Sequence, residues 1–234
     1  MLAMKKSALK VAFRDTLPVL AGYLFLGSGF GILLRQQTAM GAGWAFLMSL
    51  CVFAGSGQYL LVSLLASKAS LIGTAIATLL VNARHLFYGI SLVDTYKGAG
   101  KKKPYMIFGL TDETYSLVTQ NEPPEGVSRL QYCFLVTLLD QIYWIIGCVL
   151  GNLAGRLPID FTGVEFVLTA LFVTMFVDQW IANKNHRPAI IGIGCTTVCL
   201  LIFGSELFLI PSMVLIAGLL ILSRKTGRRV KDGD

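Results

Sequence analysis

The side chains able to do chemistry in this sequence stand among apolar neighbours. Arg84 and His85 fall in the run Asn82-Ala83-Arg84-His85, halfway along the apolar stretch from Leu71 to Val93. Asp112 and Glu113 adjoin each other within the shorter stretch from Tyr105 to Val118, and Asp140 lies near the middle of residues 130–153. Withdrawing a charge from water is unfavourable unless it is paired or neutralised. Arg84 therefore calls for a carboxylate, and Asp112, Glu113 and Asp140 are the ones these stretches offer. The alternative has Arg84 snorkelling to an interface, with Asp112 and Glu113 in a solvated loop. A carboxyl group in apolar surroundings also takes up a proton readily, which suits Asp112, Glu113 and Asp140 to proton coupling. His85 titrates near neutral pH by type, although the adjacent Arg84 opposes its protonation.

A different chemistry is written in Phe53-Ala54-Gly55-Ser56-Gly57-Gln58-Tyr59. Glycines at 55 and 57 let a helix unwind inside an apolar span. The N–H groups freed where the helix restarts would meet an anion at the positive end of the helix dipole. Ser56 and Gln58 add side-chain hydrogen bonds there; Asn82, Arg84, His85 and Tyr88 are the further candidates for contact with a small ligand. Equally open for the glycines is a packing role, in which small residues only let helices approach. Gln58 in mid-span tilts the reading toward binding. Gly27 with Gly31, and Gly147 with Gly151 and Gly155, repeat a four-residue spacing along one helix face and read as packing ridges.

Composition defines the framework that must hold these residues. Of 234 residues 55% are hydrophobic and 14% charged, with a mean hydropathy of +0.68, where soluble domains carry about 25% charged residues. The fold class this implies is all-α: a polytopic membrane helix bundle, one transmembrane domain over residues 1–234. Clear spans run at 16–34, 44–66, 130–153, 162–181, 188–204 and 206–223, each near the length of about 20 residues that crosses a bilayer. The expected bundle has about six full spans plus two broken or re-entrant helical segments, 71–96 and 105–119. From Leu71 to Val81 a helix rises about 16 Å, so a break at Asn82 would lie near the bilayer midplane. Irregular backbone at that depth survives only where protein buries it or water fills a cavity.

If neither segment crosses and the N-terminus is cytoplasmic, all of the 20 basic residues except Arg35, Arg84 and Arg156 fall on the cytoplasmic side. That sorting follows the positive-inside rule and puts both termini in the cytoplasm. Pro18 suits a first helical turn, with Asp15 or Thr16 as its cap. Asp178 and Gln179, beside Trp180, read as an interfacial helix end, and His186 as solvated. The N-terminal MLAMKKSALKVAFRD lacks the short apolar core and cleavage site of a signal peptide and is expected to be retained.

Several function classes fall away. The +7 charge sits in short clusters between apolar runs, which excludes a nucleic-acid binder, and neither a disulfide-stapled secreted domain nor a disordered chain has this composition. Cys51, Cys133, Cys148, Cys195 and Cys199 lie in apolar runs and read as small packing residues. Cys195 and Cys199 share a helix face without further metal ligands nearby. No Walker A pattern occurs, since Gly22 to Gly27 is followed by Ser28-Gly29, and no G-x-S-x-G or H-E-x-x-H is present. The expectation is a protein without catalytic residues, metal or cofactor: a secondary transporter. Its rivals are a passive channel or facilitator and a structural subunit of a membrane complex.

Four stretches taken together resemble the AzlC family, the large subunit of branched-chain amino acid exporters. They are Arg14-Asp-Thr-Leu-Pro18, Phe53-Ala-Gly-Ser-Gly-Gln58, Asn82-Ala-Arg-His-Leu-Phe-Tyr-Gly89 and Phe108-Gly-Leu-Thr-Asp-Glu-Thr-Tyr115. The resemblance is strongest over residues 14–117. It implies export of valine, leucine and isoleucine across the cytoplasmic (inner) membrane of a bacterium, in company with a small AzlD-type membrane subunit.

Overall fold

The computed structural model of the chain describes residues 2–164, 166–182, 185–208, 211–212, 214–216 and 218–220. The side chains of Arg84, Phe87, Asp178 and Gln179 lie outside the described set, and with them the expected pairing of Arg84 and the interfacial reading of Asp178 and Gln179. The regular secondary structure of the described residues is helical, as the composition requires. In chain order the helices are α1 (Leu2–Thr38), α2 (Ala42–Cys51), α3 (Gly55–Ala66), α4 (Leu71–Ser91), α5 (Lys103–Phe108), α6 (Asp112–Gln120), α7 (Arg129–Ala154), α8 (Phe166–Ala182) and α9 (Arg187–Leu207), with a 3-10 turn at Gly100–Lys102.

Among the described residues four segments are long and apolar enough to cross a bilayer: Ala8–Thr38, Leu71–Ser91, Arg129–Ala154 and Arg187–Gly204. The stretch expected at 162–181 becomes α8, with 17 residues, and much of 206–223 lies outside the described residues. The breaks fall differently from expectation. Leu71–Ser91 is one uninterrupted helix of 21 residues, so Asn82 to His85 forms no break. None of these four residues is glycine or proline, and a helix bonds its own backbone through them without outside help. The sorting of basic residues to one side rested on this segment turning back, which α4 does not do.

Residues 44–66, expected as one span that unwinds at Gly55 and Gly57, are two helices separated at Val52–Ala54. Phe53 holds a positive φ of 39° and Ala54 is extended, with φ −141° and ψ 92°. Gly55 to Gln58 are therefore the first turn of a restarted helix rather than the break itself. The stretch 105–119 breaks as expected, between α5 and α6 at Gly109–Thr111. Pro18, expected in a first turn, lies well inside α1. Membrane helices tolerate interior proline; in the turn before it the Thr16 hydroxyl donates to Phe13 O at 3.2 Å.

The chain forms two compact units, Met1–Ala69 with Val81–Leu168, and Ser70–Leu80 with Thr169–Asp234. In the first, α1 and α7 lie backbone against backbone. A methyl group on Gly27 would come within 3.0 Å of Cys148 N, and one on Gly147 within 2.6 Å of Tyr23 O. At Gly31 and Gly151 the added carbon would collide with the carbonyl oxygens of Cys148 and Ser28. The glycine ridges thus do pack. Lipid tails are as apolar as leucine, so close van der Waals fit and interhelical hydrogen bonds hold such a pair. Asn152 supplies two bonds, donating to Gly31 O at 3.2 Å and Met40 O at 3.1 Å, and Tyr143 meets Thr16 at 3.2 Å.

In the second unit α9 is interrupted at Gly204, whose φ of 72° and ψ of 175° no helix contains. Cys195 and Cys199 are buried there, and in the first unit Cys133 and Cys148 are buried too; Cys51 is exposed and so is not a packing residue. It ends α2, where the following break turns the chain away. His186 stacks on the Trp180 ring, centroids 4.0 Å apart.

The α1–α7 contact predicts its own test. Gly151→Leu should destabilise the protein by about 3 kcal/mol, the upper end for overpacking, because backbone atoms are what the side chain meets. Gly22→Ala, whose methyl meets nothing within 4 Å, should hold or slightly raise the midpoint. Thermal unfolding of the detergent-solubilised protein measures both.

Candidate functional site

Helix α7 gathers the polar residues of the first unit. One turn of it carries Asp140, Gln141, Tyr143 and Trp144, all buried. Gln141 ties together the helices that lead into the two breaks: its Nε2 donates to Leu50 O at 3.1 Å, in the last turn of α2, and its Oε1 accepts from the Tyr105 hydroxyl of α5 at 2.7 Å. A carbonyl near a helix end has lost its intrahelical partner, and Gln141 replaces that partner. Trp144 Nε1 donates to Gln58 Oε1 at 2.7 Å, in the first turn of α3, and the indole covers Gly55, where an added methyl would lie 3.3 Å from the ring.

The restarted helix α3 is buried at its N-terminus. Ser56 is 3% exposed and Gln58 0%. Its N-cap residue, Ala54, has no side chain to accept from the first turn, and the first turn holds no acid. Such an end keeps its partial positive charge and its demand for acceptors. Gly57 lies against the Asn82 side chain of α4: a methyl there would sit 2.6 Å from Nδ2 and 2.9 Å from Oδ1. Here glycine is a requirement of close approach.

The other restart has the opposite character. Thr111 caps α6, its Oγ1 accepting from Thr114 N at 3.2 Å, and Asp112 and Glu113 occupy the first turn. Cap and acids together use up the dipole. Each acid has a phenol partner: Tyr88 donates to Asp112 Oδ1 and Tyr23 to Glu113 Oε2, both at 2.7 Å. Tyr88 also stacks on Tyr115 with centroids 4.5 Å apart and meets His85 edge-on at 5.9 Å. Asp140 is wholly buried and accepts from Thr114 Oγ1 at 2.7 Å.

The two restarts are joined through aromatic rings. Tyr23 meets Trp144 edge-to-face at 5.3 Å, so Gln58, Trp144, Tyr23 and Glu113 form one continuous chain of contacts. Of the candidates read from the sequence, Gly55, Ser56, Gly57, Gln58, Asn82, Glu113 and Asp140 belong to this region. Asp112, His85 and Tyr88 form a neighbouring group along α4 and α6. Sequence reasoning missed Tyr23, Trp144, Gln141, Thr111 and Thr114. Trp144 and Tyr23 did carry a signal, since they sit mid-span whereas such residues gather at membrane interfaces.

Three buried polar atoms here have no hydrogen-bond partner among the described residues: Gln58 Nε2, Asn82 Oδ1 and Asp140 Oδ1. Buried polar atoms are rarely left so, and one donor and two acceptors are the kinds of group a zwitterion would satisfy. Among the described residues no three histidine, cysteine or carboxylate side chains gather as a metal ion requires.

The Trp144–Gln58 bond is open to a double-mutant cycle. Trp144→Phe should destabilise the protein by about 1–3 kcal/mol, because Gln58 Oε1 then stays buried without a donor. Adding Gln58→Leu should recover much of that loss, since removing both partners costs less than removing one. Thermal unfolding of the four proteins gives the coupling.

Comparison with known proteins places this arrangement. Residues 18–157 match the AzlC protein family. The chain is 40% identical to the branched-chain amino acid transport protein AzlC of Bacillus subtilis (strain 168), over 94% of this chain and 86% of that protein. It is 41% identical to an uncharacterized membrane protein of Helicobacter pylori (strain J99), over 93% and 96% of the two chains. With the inner membrane protein YgaZ of Escherichia coli (strain K12) it shares 25% identity over 86% and 83%. No solved structure matches. With both broken helix pairs, α4 and α7 inside the matched residues, the chain belongs to the AzlC family.

Proposed function

We propose that this protein is a secondary transporter that exports branched-chain amino acids across the bacterial cytoplasmic membrane, coupled to protons and working with a small AzlD-type membrane subunit. The substrate class rests on the Bacillus subtilis relative, a branched-chain amino acid transport protein. The observation that carries the reading is the contrast between the two helix restarts: α3 buried, uncapped and free of acids, α6 capped and acidic. A zwitterion needs both kinds of surroundings.

In this reading the substrate carboxylate meets the first turn of α3 and Gln58 Nε2, with Arg84 as a further cationic partner. The ammonium group meets Asn82 Oδ1 and Asp140 Oδ1. The aliphatic side chain packs on Phe53, which is 3% exposed and holds its positive φ within the break. Strained backbone of this kind costs about 1–3 kcal/mol and concentrates at functional sites. A buried carboxyl group is less unfavourable when neutral, so Asp112, Glu113 or Asp140 protonated from one side and released to the other would drive the cycle.

Efflux of radiolabelled leucine and valine from proteoliposomes, with and without the small subunit and with and without a pH gradient, tests this. Gradient-dependent efflux that requires both chains is expected. Gln58→Ala should weaken leucine affinity about 10- to 100-fold, the worth of a lost hydrogen bond to a charged group. Arg84→Ala should abolish export without loss of membrane insertion; unchanged export would remove Arg84 from the site.

A further inference from the structure

Four oxygen-to-oxygen contacts join two carboxyl groups of the first unit into one line. Thr114 Oγ1 lies 2.7 Å from Asp140 Oδ2, Thr111 Oγ1 lies 3.2 Å from Thr114 Oγ1, the Tyr23 phenol lies 2.6 Å from Thr111 Oγ1, and Glu113 Oε2 lies 2.7 Å from the phenol. The line draws on α7, α6 and α1. It is buried for most of its length, with Asp140 and Thr114 0% exposed, Tyr23 4% and Thr111 5%; Glu113, at the other end, is half-buried.

Counting hydrogens shows what such a line does. Each hydroxyl brings one hydrogen, so three hydroxyls cannot fill four contacts. With both carboxyls ionised, one pair of facing oxygens has no hydrogen between them. One carboxyl proton completes the line. When it sits on Glu113, Glu113 donates to Tyr23, Tyr23 to Thr111, Thr111 to Thr114, and Thr114 to ionised Asp140. When it sits on Asp140, every bond points the other way. Passing from the first state to the second moves each hydrogen across one contact. Four O–H bonds break, four form, and one proton has gone from Glu113 to Asp140. A half-turn of the Asp140 carboxyl about its Cβ–Cγ bond then carries that proton to the position of Oδ1, which has no partner among the described residues, where it can pass to an arriving ligand.

We infer that Tyr23, Thr111 and Thr114 are a proton path between Glu113 and Asp140, an inference that rests on the proton-coupled transport reading above. None of the three hydroxyls need ever be ionised, because each gains a hydrogen as it gives one up. Besides the members of the line, the titratable side chain facing Asp140 among the described residues is Tyr105 of α5.

The test compares two rates in the same proteoliposomes: leucine efflux driven by a pH gradient, and leucine exchange at equal concentration and pH on both sides, which moves no net proton. Tyr23→Phe keeps the ring against Trp144 and removes only the hydroxyl; Thr114→Val removes the link to Asp140. Each should lower the ratio of driven efflux to exchange by at least about tenfold, the low side of what a positioned proton donor contributes. Thr114→Ser, which restores the hydroxyl, should restore the ratio. An unchanged ratio in Tyr23→Phe and Thr114→Val, in a wild type that responds to the gradient, overturns the path alone. A wild type indifferent to the gradient overturns the proton-coupled reading and the path with it.

Discussion

A broken helix inside a membrane leaves backbone N–H and C=O groups that no lipid tail can satisfy, each at a cost of several kcal/mol. In this protein the breaks at Val52–Ala54 and Gly109–Thr111 are held by side chains of one long helix, α7. Gln141 bonds the end of α2 and the start of α5, Trp144 the start of α3, and Asp140 the first turn of α6. These bonds require α7 to stand in one place. The glycine ridges shared with α1, where added methyl groups would strike the facing backbone, put it there. Packing of small residues thus comes first, and the polar groups depend on it.

The same helix ends that need support also carry charge. At α6, Thr111 and the acids of the first turn answer the helix dipole within the element itself. At α3 neither a side-chain cap nor an acid does so, and the amides of Gln58, held by Trp144, and of Asn82 lie at its first turn. Two ends of like geometry thereby acquire unlike electrostatics. Their separation is bridged by Tyr23, which touches Trp144 with its ring and Glu113 with its hydroxyl.

Membership of the AzlC family and the all-helical membrane architecture were both legible in the residues. The motif around Gly55 to Gln58 and the acids at 113 and 140 lie in the region that the fold brings together, with Asp112 in the neighbouring group. The placing of the breaks was less legible. Asn82 to His85 reads as an interruption because its residues are polar, but polarity alone does not end a helix; the backbone bonds itself as well through arginine as through leucine. Within residues 44–66 the glycines read as the point of unwinding, yet the break falls just before them, where Phe53 takes a left-handed conformation. That choice is made by packing, since Phe53 joins Tyr23, Met48 and Trp144 in one buried cluster.

The sequence by itself determined the solvent this chain requires, the helices that follow from it, and the spacing of glycines by which α1 and α7 approach. Those properties are local, set by runs of residues and by a period of about 3.6 along each helix. Only the tertiary structure decided which partners the buried polar groups have. Tyr23 and Glu113 are separated by 90 positions and Gln58 and Trp144 by 86, yet each pair is within hydrogen-bond distance. No local pattern encodes such a meeting, because its distance is fixed by helices that must first pack.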